Sequence, residues 1–395
     1  MTISTSIRTT VAALFVSSAV VFTPTAASAF DATALLKRYE TLASKQGQKF
    51  SYKSIEAVSD GGFTVTDPSW TIATLTTIKA ATLTFSDIQE GDNDSLTIGS
   101  IDIGSITAGS PDVSVVFDSA SMKGLRIPSA TETDPIKLMP YYSRFEMGKG
   151  TISSSGKMIA SMGGGYVDVS PFDANTPMKM ISEITDIKID TSAVPEKKFT
   201  KMVTDLGYGA NFTGRIAMDA TWSLSDGLMD LYKYDFVIDN VGTFSMPFKI
   251  GGYTAEKMQQ MQQMNQDMEG KSEEEQGMAA LALFADLTLH SMSISFKDDS
   301  LTDRGLKFAS KQMGQPPEQL VQMAPMMIGM GMGQLKMPEV SQMVSEAVAA
   351  FLKKPGTLSI SVKPEKPIAF TSIGVTGAAD PKALVKLLNL QVTAK

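Results

Sequence analysis

The stretch that most constrains the fold runs from Asn211 to Gly252, NFTGRIAMDATWSLSDGLMDLYKYDFVIDNVGTFSMPFKIGG. Three apolar/polar alternations follow one another in it: Ile216, Met218, Ala220, Trp222, Leu224; then Tyr232, Tyr234, Phe236, Ile238; then Phe244, Met246, Phe248, Ile250. A period of two places each set on one face of a strand. Asp226-Gly227 and Asp239-Asn240-Val241-Gly242 supply the turns. The spacing predicts an antiparallel meander with a single apolar face.

Upstream, short Ser/Thr-rich strands alternate with Gly, Asp and Asn turns from Phe50 to about Pro128 and again from Glu146 to Ile189. Asp31 is placed to cap a helix over Ala32–Gln46, with Leu35, Leu36, Tyr39 and Leu42 as its stripe. At Tyr253 the composition shifts to helix formers. Pro338 opens the strongest helix, with Val340, Met343, Val344, Ala347, Val348 and Phe351 at helical spacing. Thr357–Val362, Ile368–Val375 and Leu390–Thr393 alternate as strands, and Asp380-Pro381 caps a last helix. The class is therefore α+β: an extended antiparallel sheet, open or curled toward a half-barrel, with a Met-rich helical section near the C-terminus packed on it. Four segments follow: 1–29, 30–252 (β-rich, with the N-terminal helix), 253–356 (mainly helical, with one strand), and 357–395, whose strands rejoin the sheet. One continuous body is expected, since the late strands need partners; a split near residue 252 is the alternative.

Residues 1–29 have the form of a secretory signal, with Arg8, the apolar run Val11–Phe22, Pro24, and Ala27-Ser28-Ala29 as the cleavage pattern. No later stretch reaches about 18 consecutive apolar residues. The expected location is the periplasm. The chain has no cysteine, which excludes thiol catalysis, a disulfide framework and the usual structural zinc sites. A net charge of −7 argues against general nucleic-acid binding.

Catalytic signals are weak. His290, the single histidine, shares parity with Met292, Ile294 and Phe296 in LTLHSMSISF and is expected on the apolar face. Ser154-Ser155-Gly156-Lys157 fits SxxK but sits in a turn, and Gly163-Gly164-Gly165 lacks the lysine of a phosphate loop and is expected to be a flexible turn. Glu90-Asp92-Asn93-Asp94 and Asp298-Asp299-Asp303 lack full calcium-loop spacing and fit solvated turns. No cofactor motif is present. The oddity is methionine: fourteen of the 26 lie between Tyr253 and Ser345. Met258, Met261, Met264 and Met268 share one helix face. Met323, Met326, Met327, Ile328, Met330, Met332 and Leu335 crowd a segment in which Gly329, Gly331 and Gly333 should leave a helix frayed. These seven apolar residues are the candidate ligand-binding set, as an adaptable lid or groove. Thioethers also suit Cu(I).

Leu206-Gly207-Tyr208, the Asp-rich turns, Asn240-Val241-Gly242 and the phrase from Asp299 to Leu306, DSLTDRGL, are similar to the β repeats of AsmA-like and related secreted proteins of Gram-negative bacteria. The resemblance covers about a third of the chain. It implies association with envelope lipids and carries no catalytic residues; the chain departs from it in having no retained membrane segment. The expectation is a non-enzymatic envelope protein that binds a lipid or a protein partner. A Met-rich copper binder and a carboxylate-only hydrolase are the alternatives. The exported protein should begin at Phe30, and an intact mass still including residues 1–29 would contradict the reading.

Overall fold

The computed structural model describes residues 32–33, 35–37, 40, 48–58, 62–72, 76–91, 95–110, 112–129, 132–134, 136, 141–171, 176–267, 272, 274–275, 284–332 and 337–395. The signal segment, Tyr39 and Leu42, the turn Asp92-Asn93-Asp94, Met268 and Leu335 lie outside the described residues. Strand outweighs helix, 47% against 28%, and every pairing among the described residues is antiparallel. The α+β class therefore holds, with the C-terminal helices packed on the sheet. The chain forms two compact units. One holds the described residues up to 171 with 181–200 and 210–212; the other holds 176–180, 201–209 and the described residues from Thr213 on. The composition shift at Tyr253 thus falls inside the second unit.

The first unit is a meander of long strands, most of them in two halves: β1 (Gln48–Ser51, Ser54–Ala57), β2 (Phe63–Thr66, Ser69–Ile72), β3 (Thr76–Ala80, Thr82–Glu90), β4 (Leu96–Ile103, Ile106–Ser110), β5 (Val113–Phe117, Ala120–Ile127), β6 (Arg144–Met147, Gly150–Ser154), β7 (Lys157–Met162, Gly164–Val169) and β8 (Met178–Asp190). The breaks align into a crease. Lys53 donates its N–H to Thr66 O, Asp67 to Ala81 O, Ala81 to Ser105 O, Gly148 to Ser119 O and Gly163 to Thr185 O. In a plain strand the apolar face recurs every second residue, and one extra residue turns every later side chain to the other face. Here β1 to β6 each take a three-residue step at the crease: Tyr52 to Ile55, Val65 to Pro68, Ala80 to Leu83, Ile103 to Ile106, Phe117 to Ala120 and Met147 to Gly150.

The pairing register shows what the steps achieve. On one side of the crease Ile55, Val65, Leu83, Ile103, Ala120 and Met147 form a continuous cross-strand row. On the other side the row is Phe50, Trp70, Ile78, Ala108, Val115, Ile152, Ala160 and Ile189. A second step runs Phe85 to Ile88, Ile98 to Ile101 and Met122 to Leu125. Asp87 (φ 53°) and Gly124 (φ 62°) are left-handed there, and Gly99 lies between them. Phe63, Val65, Ile98 and Val115 are at most 2% exposed, each contributing about 1.5–3 kcal/mol of burial. Gly163-Gly164-Gly165 belongs to the crease and to β7, so the expected flexible turn is corrected: Asp186 of β8 packs against Gly163. Ser155 (φ 49°) and Gly156 (φ 76°) make a tight hairpin turn between β6 and β7.

In the second unit β9 (Asn211–Ser223), β10 (Leu228–Ile238), β11 (Gly242–Ser245, Phe248–Gly251), β12 (Thr288–Asp298), β13 (Thr357–Val362, Ile368–Ala369) and β14 (Gln391–Ala394) pair in that order. The late strands rejoin the sheet, as expected. The helices are α1 (Lys197–Asp205), α2 (Ala255–Asp267), α3 (Leu301–Met313), α4 (Pro317–Met332), α5 (Pro338–Lys353), α6 (Phe370–Ala379) and α7 (Pro381–Leu387). The α5 stripe is as expected, with Val340, Ala347 and Phe351 buried. Asp380 caps α7 through the N–H groups of Lys382 and Ala383. Ile368–Val375 is corrected: only Ile368-Ala369 pairs, and Phe370 opens α6, whose packing against α7 overrides the β preference of Phe, Thr, Ile and Val.

Helix α5 lies against β14, whose Val392 N–H points away from β13 and finds the Met343 Sδ at 3.2 Å. That contact covers an edge strand otherwise open to a foreign chain. Two bulges correct the sequence reading. Asp219 pairs with Lys233 but Ala220 with Leu231, so Tyr232 is the extra residue; it is 53% exposed and Leu231 takes its place on the apolar face. Lys249 pairs with Ser291 but Ile250 with Leu289, so His290 is the extra residue and Leu289 stands in the apolar row. His290 meets Lys249, Asp226 and Asp230 instead. Burial and Lys249 hold its pKa below the usual histidine value, and the two aspartates partly offset them.

A Cβ added at Gly99 would stand 2.6 Å from the Asp87 Cβ, so Gly99→Ala must push β3 and β4 away from each other. Its expected cost is about 1–3 kcal/mol, read as a lower urea midpoint with unchanged slope; an unchanged midpoint would contradict the close approach.

Candidate functional site

The second unit's sheet leaves part of its apolar face open. Phe244 on β11 pairs with Phe296 on β12, and Ile294 on β12 pairs with Ile360 on β13. Paired residues share a face, so Phe244, Ile294 and Ile360 point the same way from three adjacent strands. They are 38%, 39% and 48% exposed. Half-buried Met218, Tyr234, Phe236 and Leu358 extend the face, which ends at Val392 under α5. From β9 to β13 it crosses four interstrand steps, about 19 Å. Beyond the bulges the same side is closed: Ala220, Trp222, Leu231, Leu289 and Ala255 are buried, and Trp222 Nε1 donates to Tyr253 O at 2.6 Å.

The Met-rich segment is placed otherwise than its composition suggests. Helix α4 runs unbroken through Gly329 and Gly331 to Met332 and contains Pro325, which corrects the expectation of fraying. Packing against α5 supplies the stability that propensity lacks. Only Leu320 is buried. Met323, Ile328 and Met332 are half-buried. Met326, Met327 and Met330 are 58%, 49% and 72% exposed. A lid shut over a groove buries its apolar side chains; these three face solvent. On α2, Met258, Met261 and Met264 are half-buried.

Three motifs distant in sequence meet in the second unit. The Tyr208 hydroxyl lies 3.0 Å from Ser300 Oγ, and Arg304 Nε donates to the same oxygen at 3.2 Å. Arg304 Nη1 donates to Gly207 O, and its guanidinium sits 4.3 Å over the Tyr208 ring. Ser300 Oγ donates to Asn240 O, and Asp299 N–H donates to Val241 O at 3.1 Å. Asn240 takes φ 60°, a left-handed value that asparagine tolerates. Asp298 Oδ1 accepts the Thr302 N–H and hydroxyl, both at 2.8 Å. The acidic run here is thus a helix start tied to a turn. Tyr208, Ser300 and Arg304 form a joint in which the Tyr208 hydroxyl, the Ser300 hydroxyl and the Arg304 Nε and Nη1 groups are turned toward protein partners.

Chemistry elsewhere is sparse. Among the described residues no group of three or more His, Cys, Asp or Glu side chains is placed to hold a metal ion. No described helix is long and apolar enough to cross a membrane. A cavity of about 30 Å³ between Pro338, Val340, Lys382 and Val385 has room for a water, not for an acyl chain. Arg144 binds Asp168 at 2.6 Å and Glu146 at 3.0 Å, and its hydrogen bond to Glu146 holds that carboxyl below its usual pKa.

A family model described as "Uncharacterized protein" matches residues 235–395. The match takes in the second half of β10, the strands of the open face from β11 on, the Met-rich helix, and two of the three motifs of the joint. No curated protein matches the chain.

Arg304→Ala should destabilise the second unit by about 2 kcal/mol, combining a stacked cation with two lost hydrogen bonds. Arg304→Lys should recover less than half, since lysine lacks the planar fork. A double-mutant cycle with Tyr208→Leu should show coupling near 1 kcal/mol; additive effects would contradict the joint.

Proposed function

We propose that this is a non-enzymatic envelope protein of the periplasm that binds an apolar ligand, a lipid acyl chain, along the open face of its second sheet. The observation that carries the reading is the row Phe244, Ile294 and Ile360. Large apolar side chains on three neighbouring strands stay half in solvent, beside a helix that covers the adjoining Val392. Leaving such surface wet is unfavourable by about 25 cal/mol per Å², so a ligand that covers it gains binding energy. The face is long, narrow and uncharged, the shape of an extended chain. The signal-like N-terminus and the resemblance to AsmA-like proteins support an envelope setting and a lipid ligand.

The test is extraction of purified protein followed by lipid mass spectrometry, with uptake of a fluorescent fatty acid as the quantitative assay. Acyl lipid is expected in the wild type. Ile294→Asp and Ile360→Asp should each weaken probe uptake by at least about tenfold, a charge on the face opposing burial of the chain. A protein that carries no lipid and takes up no probe would overturn the acyl reading and leave the face to a protein partner.

A further inference from the structure

We propose that helix α4 carries a binding site for a soft monovalent cation, Cu(I) by chemical class, formed by Met323, Met326, Met327 and Met330. At 3.6 residues per turn these positions, i, i+3, i+4 and i+7, fall within an arc of about 100°. Neighbouring Cβ atoms on such a stripe are about 5–6 Å apart. Each side chain is unbranched with a polarizable sulfur at its third heavy atom, so the sulfurs can turn toward a common point without moving the helix. Met332 falls on the opposite side and takes no part.

The stripe is turned outward. An apolar helical stripe ordinarily faces the core; on α4 the covered side is the one opposite the sulfurs, where Val321, Ala324, Pro325, Ile328 and Met332 are half-buried. The sulfur-dense stripe faces solvent, with Met326, Met327 and Met330 at 58%, 49% and 72% exposure. Between Glu318 and Met332 the helix has no ionisable residue. Neutral thioethers without carboxylate or imidazole neighbours select a soft ion over Mg²⁺, Ca²⁺ or Zn²⁺. Among the described residues the other exposed methionines, Met158, Met202 and Met313, sit singly on separate elements. The site is independent of the acyl-binding face.

The experiment is a Cu(I) titration of the full chain under reductant, against a chromophoric Cu(I) chelator. The comparison variant is Met326→Leu/Met327→Leu/Met330→Leu, which keeps the apolar volume and helix propensity and removes the sulfur. The wild type should take up one Cu(I), and the variant should bind at least about tenfold more weakly with an unchanged melting temperature and unchanged fatty-acid uptake. Met158→Leu/Met202→Leu should bind as the wild type does. No uptake by the wild type, equal affinity in the triple variant, an equal loss in the control variant, or Zn²⁺ binding as tight as Cu(I) would each overturn the site.

Discussion

The structure depends on one constraint: a bent strand must keep its apolar side chains on a single face. A period of two cannot survive a bend that adds a residue, because every later side chain changes sides. This chain meets the constraint with three-residue steps placed at the same height in successive strands, so that paired residues on both sides of the crease remain apolar across the meander. Small or left-handed residues absorb the extra length. Asp87 and Gly124 do so in the first unit; in the second, one-residue bulges at Tyr232 and His290 take up the extra length instead.

The same device explains why the second sheet has a closed half and an open half. Below its bulges, Trp222, Leu231 and Leu289 are buried and the chain leaving β11 is tied down by the Trp222–Tyr253 hydrogen bond. Above them α5 covers the β14 edge, with Met343 at the Val392 amide, while Ile360 stays 48% exposed. The joint of Tyr208, Ser300 and Arg304 fixes where α3 begins, and so where the helical layer starts. Helix α4 then rides on α5.

Much of the fold was legible in the residues. Alternation identified the strands of the meander, proline and aspartate marked the starts of α5 and α7, and the stripe from Val340 to Phe351 named the buried face of α5. The three-residue steps were not legible, because a step such as Ile103 to Ile106 looks like the end of one strand and the start of another. Tyr232 and His290 were assigned to the wrong face because a one-residue bulge shifts the alternation without a local signal. Phe370–Val375 has the composition of a strand and forms a helix, since its packing against α7, which follows after Asp380, decides its conformation and composition does not report packing. The site was legible only to a limited extent. Met326, Met327 and Met330 could be picked out as unusual, but their outward orientation depends on which face of α4 meets α5. Ile294 and Ile360 could be read as apolar; that they stay 39% and 48% exposed is a property of tertiary packing.

Binding of an acyl chain along the open half of the second sheet is the proposal that the fold leads to. Photo-crosslinking with a diazirine fatty acid, followed by peptide mapping, tests it most directly. Adducts are expected on β11, β12 and β13, concentrated near Phe244, Ile294 and Ile360. Adducts confined to α4 or to the first unit, or a uniform scatter at the level of denatured protein, would contradict it.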